Sequence, residues 1–169
     1  MLFRSGLGIA CREDGQVERA VDCLERGVAA IHETGSRIAE ASALDSLALA
    51  YCDQRRFDAA TDCLERSLGF RCELRDRYGE ATTLSRLGEV HYRAGRAQVA
   101  VESYELSLRM YRDMGERRRE AETLWRLGHA RDALGQHGRA RVCWRAARAI
   151  FKEMGVPATD EEFRRTTWV

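Results

Sequence analysis

A chain of 169 residues with a formal net charge of +1 and a single proline is long enough for one buried core. Its near-neutral balance excludes strong nonspecific attraction to nucleic acid or to anionic membranes. No apolar run approaches the roughly 20 residues of a spanning helix, and Met1 to Ala10 shows no signal-peptide pattern, so a cytoplasmic location is expected.

Taken in chain order, apolar residues recur at helical spacing in paired segments separated by short polar breaks. Helices are expected near 2–13, 17–33, 38–53, 57–75, 78–93, 97–114, 117–133 and 137–154. A ninth, short segment from Asp160 to Thr167 has Thr159 as its cap and Glu162 three residues on. Breaks within the pairs fall at Glu13-Asp14-Gly15-Gln16, Asp53-Gln54-Arg55-Arg56, Arg93-Ala94-Gly95-Arg96 and Ala133-Leu134-Gly135-Gln136. Three of the four carry glycine on one register, as a helix end entering a tight turn prefers.

Shifting the chain by 40 residues lays these pairs on one another. Leu7, Leu47, Leu87 and Leu127 coincide, followed by Gly8, Ala48, Gly88 and Gly128. Farther on come Ala20, Ala60, Ala100 and Ala140, then the bulky set Leu24, Leu64, Tyr104 and Trp144. A fixed period of this length marks an array in which each unit buries its apolar face against its neighbours. The expected architecture is an all-α solenoid of four antiparallel helix pairs with a short C-terminal helix. Its single domain divides into repeats at about 1–36, 37–76, 77–116 and 117–156, with 157–169 as the C-terminal segment.

The sequences Leu44, Leu47, Ala48, Tyr51, Ala60, Leu64, Ser67 and Leu84, Leu87, Gly88, His91, Ala100, Tyr104, Ser107 resemble the tetratricopeptide repeat pattern. So does Leu124, Leu127, Gly128, Arg131, Ala140, Trp144, Ala147. The repeats are longer than that family's 34 residues and lack its proline, which resembles the long-repeat arrays of bacterial regulators. HEAT and armadillo repeats are the structural rival. The resemblance implies binding of a protein or peptide in a concave groove formed by the first helix of each pair. Carried over by register, the groove comprises Leu2, Ser5, Ile9, Arg12 and Glu13, then Ser42, Asp45, Leu49, Cys52 and Asp53. The third and fourth repeats contribute Thr82, Ser85, Glu89, Tyr92 and Arg93, then Glu122, Trp125, His129, Asp132 and Ala133. Leu49, Glu89, Tyr92, Arg93, Trp125, His129 and Asp132 are the chosen partner-binding set. Trp125 has two readings, a groove anchor or a residue covering the seam beside it.

Other chemistry has little support. No phosphate loop, G-x-S-x-G turn or H-E-x-x-H motif is present, so no catalytic residue and no enzyme is expected. The six cysteines form no C-x-x-C pair and have no histidine pair at zinc spacing; reduced thiols, no metal and no cofactor are expected. Acidic residues outnumber basic ones up to Arg66, and the balance reverses from Val101 to Ile150. That gradient, with apolar array ends at Leu2 and Phe3, offers a route to homo-oligomers. The functional readings are a regulatory or sensor part of a bacterial transcriptional or signalling regulator, or a free-standing adaptor.

Overall fold

The computed structural model describes residues 17–155, which form seven α-helices and, among the described residues, no strand. They are α1 Val17–His32, α2 Arg37–Asp53, α3 Phe57–Leu74, α4 Arg77–Arg93, α5 Ala97–Met114, α6 Arg117–Ala133 and α7 His137–Glu153. Every bound lies within one residue of that expected from the sequence. The expected helix at 2–13 and the segment from Asp160 to Thr167 lie outside the described residues.

Short turns with a common hydrogen-bond pattern make consecutive helices antiparallel. After α2, the Arg56 amide donates to the Tyr51 carbonyl at 2.9 Å and the Arg55 amide to that of Cys52 at 3.0 Å. Arg96 to His91 and Gln136 to Arg131 repeat the bond after α4 and α6. Such a closure satisfies the last carbonyls of a helix but requires one left-handed residue. Gly95 (φ 77°) and Gly135 (φ 71°) supply it, as do Gly115 (φ 73°) and Gly155 (φ 70°) on the opposite edge. The second repeat departs from this: Arg55 (φ 61°) and Arg75 (φ 55°) take the left-handed position at both of its turns. A side chain there costs about 1 kcal/mol or more that glycine avoids.

Within each pair, a small residue on the first helix receives a large one from the second. Ala48 and Leu64 are wholly buried together in one core. At Gly88 a β-carbon would stand 2.6 Å from the Tyr104 ring, and Gly128 lies under the Trp144 indole. The partner volume therefore grows where alanine becomes glycine. Buried Ser67 and Ser107 seal the other end of the pairs, their hydroxyls donating to the Ala41 and Ala81 carbonyls at 3.0 and 2.7 Å.

Apolar packing falls into two clusters. One joins α1, α2 and α3 to Leu87 and Val90 of α4; the other joins α5, α6 and α7 through Tyr104, Leu108, Leu124, Leu127, Ile150 and Phe151. The two helices of the third repeat meet at Gly88 and Tyr104.

Two glycine substitutions separate close approach from helix propensity. Gly88→Ala gains propensity but drives a methyl into a fixed ring, so a net loss of about 1–3 kcal/mol is expected. Gly69, also inside a helix, has nothing within 4 Å of its would-be β-carbon, and Gly69→Ala should stabilise by about 0.5–1 kcal/mol. Denaturant unfolding of both variants checks the opposite signs.

Candidate functional site

Helices α2, α4 and α6, the first helices of successive repeats, stand side by side and touch. Their shared face carries polar rungs that join residues about one repeat apart. Arg93 Nη1 lies 2.8 Å from Asp53 Oδ1, and Arg126 Nη1 donates to Ser85 Oγ at 3.4 Å. Arg119 donates to the Tyr78 hydroxyl at 3.1 Å and to Glu122 at 2.9 Å.

The deepest rung is a charge network. Asp45 is fully buried, with Arg71 Nη2 at 2.9 Å, Arg86 Nη1 at 2.8 Å and the Thr83 hydroxyl donating at 3.2 Å. Arg71 also reaches Asp76 at 2.7 Å, and that carboxylate caps α4 through the Gly79 amide at 2.9 Å. Burial lowers the Arg86 pKa, and the Asp45 carboxylate opposes the shift.

This geometry redistributes the expected groove residues. Asp45, Ser85, Cys52 and Glu122 were expected on the open face, but all four are buried. Asp45 and Ser85 point across to the next first helix, and Glu122 is held by Arg118 at 3.1 Å as well as by Arg119. In a 40-residue repeat the first helices are long, and neighbouring arginines reach over these positions.

Trp125 occupies the register of Asp45 and Ser85. It is half-buried, 6.2 Å from the Trp144 ring and 5.3 Å from His129, with the Arg148 guanidinium 5.9 Å above it. His129 is exposed and stands 5.3 Å from Trp144 as well. These residues form an aromatic group at the α6–α7 end. Asp132 accepts from His137 at 2.7 Å.

The middle of the face holds the others. Leu49 is half-buried and Tyr92 is 36% exposed. Half-buried Glu89 accepts the Tyr104 hydroxyl at 3.2 Å through Oε2, while its Oε1 is buried without a hydrogen-bond partner. Burial first, then the Glu89 charge, holds the Tyr104 hydroxyl pKa well above its usual value. Sequence reading missed Arg86 and Arg126. Their arginines lie 40 residues apart on one first-helix register, and that repetition was the available signal.

Between repeats a second line of pairs runs along the stack. Glu25 accepts the Tyr51 hydroxyl at 2.6 Å and Glu105 accepts Arg131 Nη2 at 2.7 Å. Burial and Glu25 push the Tyr51 hydroxyl up to about 12. In the equivalent seam His91 faces Glu65, but burial and then Arg96 lower its pKa. Cys23, Cys52, Cys63, Cys72 and Cys143 are free thiols, and no group of three or more potential metal ligands occurs among the described residues.

A family model described as tetratricopeptide repeat matches residues 2–73 and 79–153. The chain belongs to the tetratricopeptide repeat family. No curated protein matches it by sequence. BtubC from P. vanneervenii has a TM-score of 0.82 at 20% identity, the match covering 93% of this chain and 65% of that one. The apo form of RapI gives 0.83 at 14% identity, covering 98% and 59%. The Rap conjugation gene regulator of the plasmid pLS20, in complex with the Phr* peptide, gives 0.76 at 15% identity, covering 98% and 44%. This chain thus spans less than two thirds of each of these neighbours, and at such identities the likeness is one of fold. None of the described helices is long and apolar enough to cross a membrane.

Two of these features can be checked by unfolding. Asp45→Ala leaves Arg71 and Arg86 facing each other without their carboxylate, and a loss of about 3–5 kcal/mol is expected. A cost within about 0.5 kcal/mol would remove Asp45 from the architecture. For His91, a folded-state pKa below the unfolded value of about 6.5 means that the folded protein binds the proton less well. Stability should therefore be full above pH about 6.5 and fall as the pH drops through and below it. His91→Gln should flatten this slope in urea titrations at successive pH values.

Proposed function

We propose that the array is a protein- or peptide-binding module whose ligand lies along the face shared by α2, α4 and α6. The observation that carries this reading is the middle of that face, where Leu49, Glu89, Tyr92 and Arg93 place apolar, anionic, aromatic and cationic groups together. Tyr92 is exposed, and Glu89 Oε1 has no hydrogen-bond partner. An extended or helical peptide between Leu49 and Tyr92 would bury apolar surface and bring a donor to Glu89. Trp125, His129 and Asp132 extend the contact toward the last repeat. Aromatic anchors beside polar groups are the usual energetic centres of such faces.

Within this reading the chain is the regulatory or sensor part of a bacterial transcriptional or signalling regulator. The likeness to a Rap conjugation gene regulator solved with a peptide favours it over a free-standing adaptor. The two readings differ in coupling. In a sensor, a bound peptide changes affinity for a protein partner, whereas an adaptor binds both independently.

An extended-peptide library presented to the full chain, followed by calorimetry on the peptides retained, tests the module. Tyr92→Ala should weaken a retained peptide at least tenfold, about 1.4 kcal/mol or more, while folding stability changes by no more than about 0.5 kcal/mol. Peptides held equally well by Tyr92→Ala and Leu49→Ala chains would move the binding site off this face.

A further inference from the structure

The last described helix breaks a rule that the other second helices keep. On the side that meets the next repeat, α1, α3 and α5 place Glu25, Glu65 and Glu105 on one register. Glu25 and Glu105 accept Tyr51 and Arg131 of the following first helix, at 2.6 and 2.7 Å. Four residues before, buried Val21 and Val101 pack into the seam; three residues after, Leu68 and Leu108 do so. On α7 these three registers hold Arg141, Arg145 and Arg148. The acidic position and its two flanking registers, apolar in the other second helices except at Thr61 of α3, have all become arginine.

Arg141 and Arg145 are exposed and make no ion pair among the described residues, while Arg148 stands over Trp125. The helix has no acidic residue before Glu153, which is engaged by Arg117 at 2.8 Å. A repeat whose outer side meets water needs a polar face there, but a mixture of charges supplies that. Like charges four residues apart on a helix repel one another, so a stripe of one sign costs something that a mixed face does not. Arg141, Arg145, Arg148 and Lys152 continue it over about 16 Å of helix.

We propose that this end face docks an acidic helix supplied by another polypeptide, stacked where the first helix of a further repeat would lie. A carboxylate of that helix meets Arg145, the charge-reversed counterpart of the Glu105–Arg131 pair. The surface borders the first-helix face at Arg148, over Trp125, but the contact at Arg145 does not depend on a peptide bound there.

The test uses two synthetic peptides with the α2 sequence, residues 37–53, the helix that stacks on α1 in the same way. One carries Tyr51→Glu and the other Tyr51→Arg. Neither contains tryptophan, so the full chain's own fluorescence reports binding. The Glu peptide should bind at least tenfold tighter than the Arg peptide, with the preference shrinking as salt rises. Arg145→Glu in the chain, confirmed as folded by its melting curve, should invert the order. Equal affinities, an order unchanged by Arg145→Glu, or binding of neither peptide would overturn the proposal. So would wild-type dimers in sedimentation that Arg145→Glu abolishes, since the occupant would then be a second copy. A preference seen only after Asp160→Asn, Glu161→Gln and Glu162→Gln would give the face to the chain's own residues and overturn it equally.

Discussion

Everything in this array rests on how closely the two helices of a pair approach. The small residue on the first helix, Ala48, Gly88 or Gly128, sets that distance by what it lacks, and Leu64, Tyr104 or Trp144 fills the space. Once the pair is fixed, its second helix presents a seam to the next repeat at a set height. The Glu25–Tyr51 and Glu105–Arg131 pairs then fall into register. The first helices come side by side for the same reason, and the polar rungs between them follow.

The parts legible in the sequence are those governed by backbone closeness and by period. Small and bulky residues alternating at 40-residue spacing gave the pairs, and turn glycines gave their ends. Side-chain reach was not legible. Nothing in the period says that Arg71 and Arg86 extend far enough to bury Asp45, or that Arg118 and Arg119 close over Glu122. Arg55 and Arg75 likewise hide two turns that keep the left-handed geometry without glycine. The face shared by the first helices was legible at the level of which helices compose it, while the placement of its individual residues depended on neighbours 40 positions away.

Two surfaces with different chemistry emerge from one repeat. The first-helix face is mixed, with Glu89, Tyr92 and Arg93 on α4 and apolar Leu49 on the neighbouring α2. The outer side of α7 is basic, with arginine at the register where the other second helices carry glutamate. Repetition makes such a division natural, because a substitution at one register of one repeat alters one surface and leaves the helix pairs intact.

The break between the two apolar clusters has a mechanical meaning. That break falls inside the third repeat, between α4 and α5, and just before it the network of Asp45, Arg71, Thr83 and Arg86 ties the second repeat to α4. Methyl groups tolerate a small slide with little change in energy; hydrogen bonds between charged groups do not, because their distances and angles are narrowly prescribed. The junction of the second repeat with α4 is accordingly held by four polar side chains as well as by apolar packing, and with it the span that the middle of the first-helix face presents.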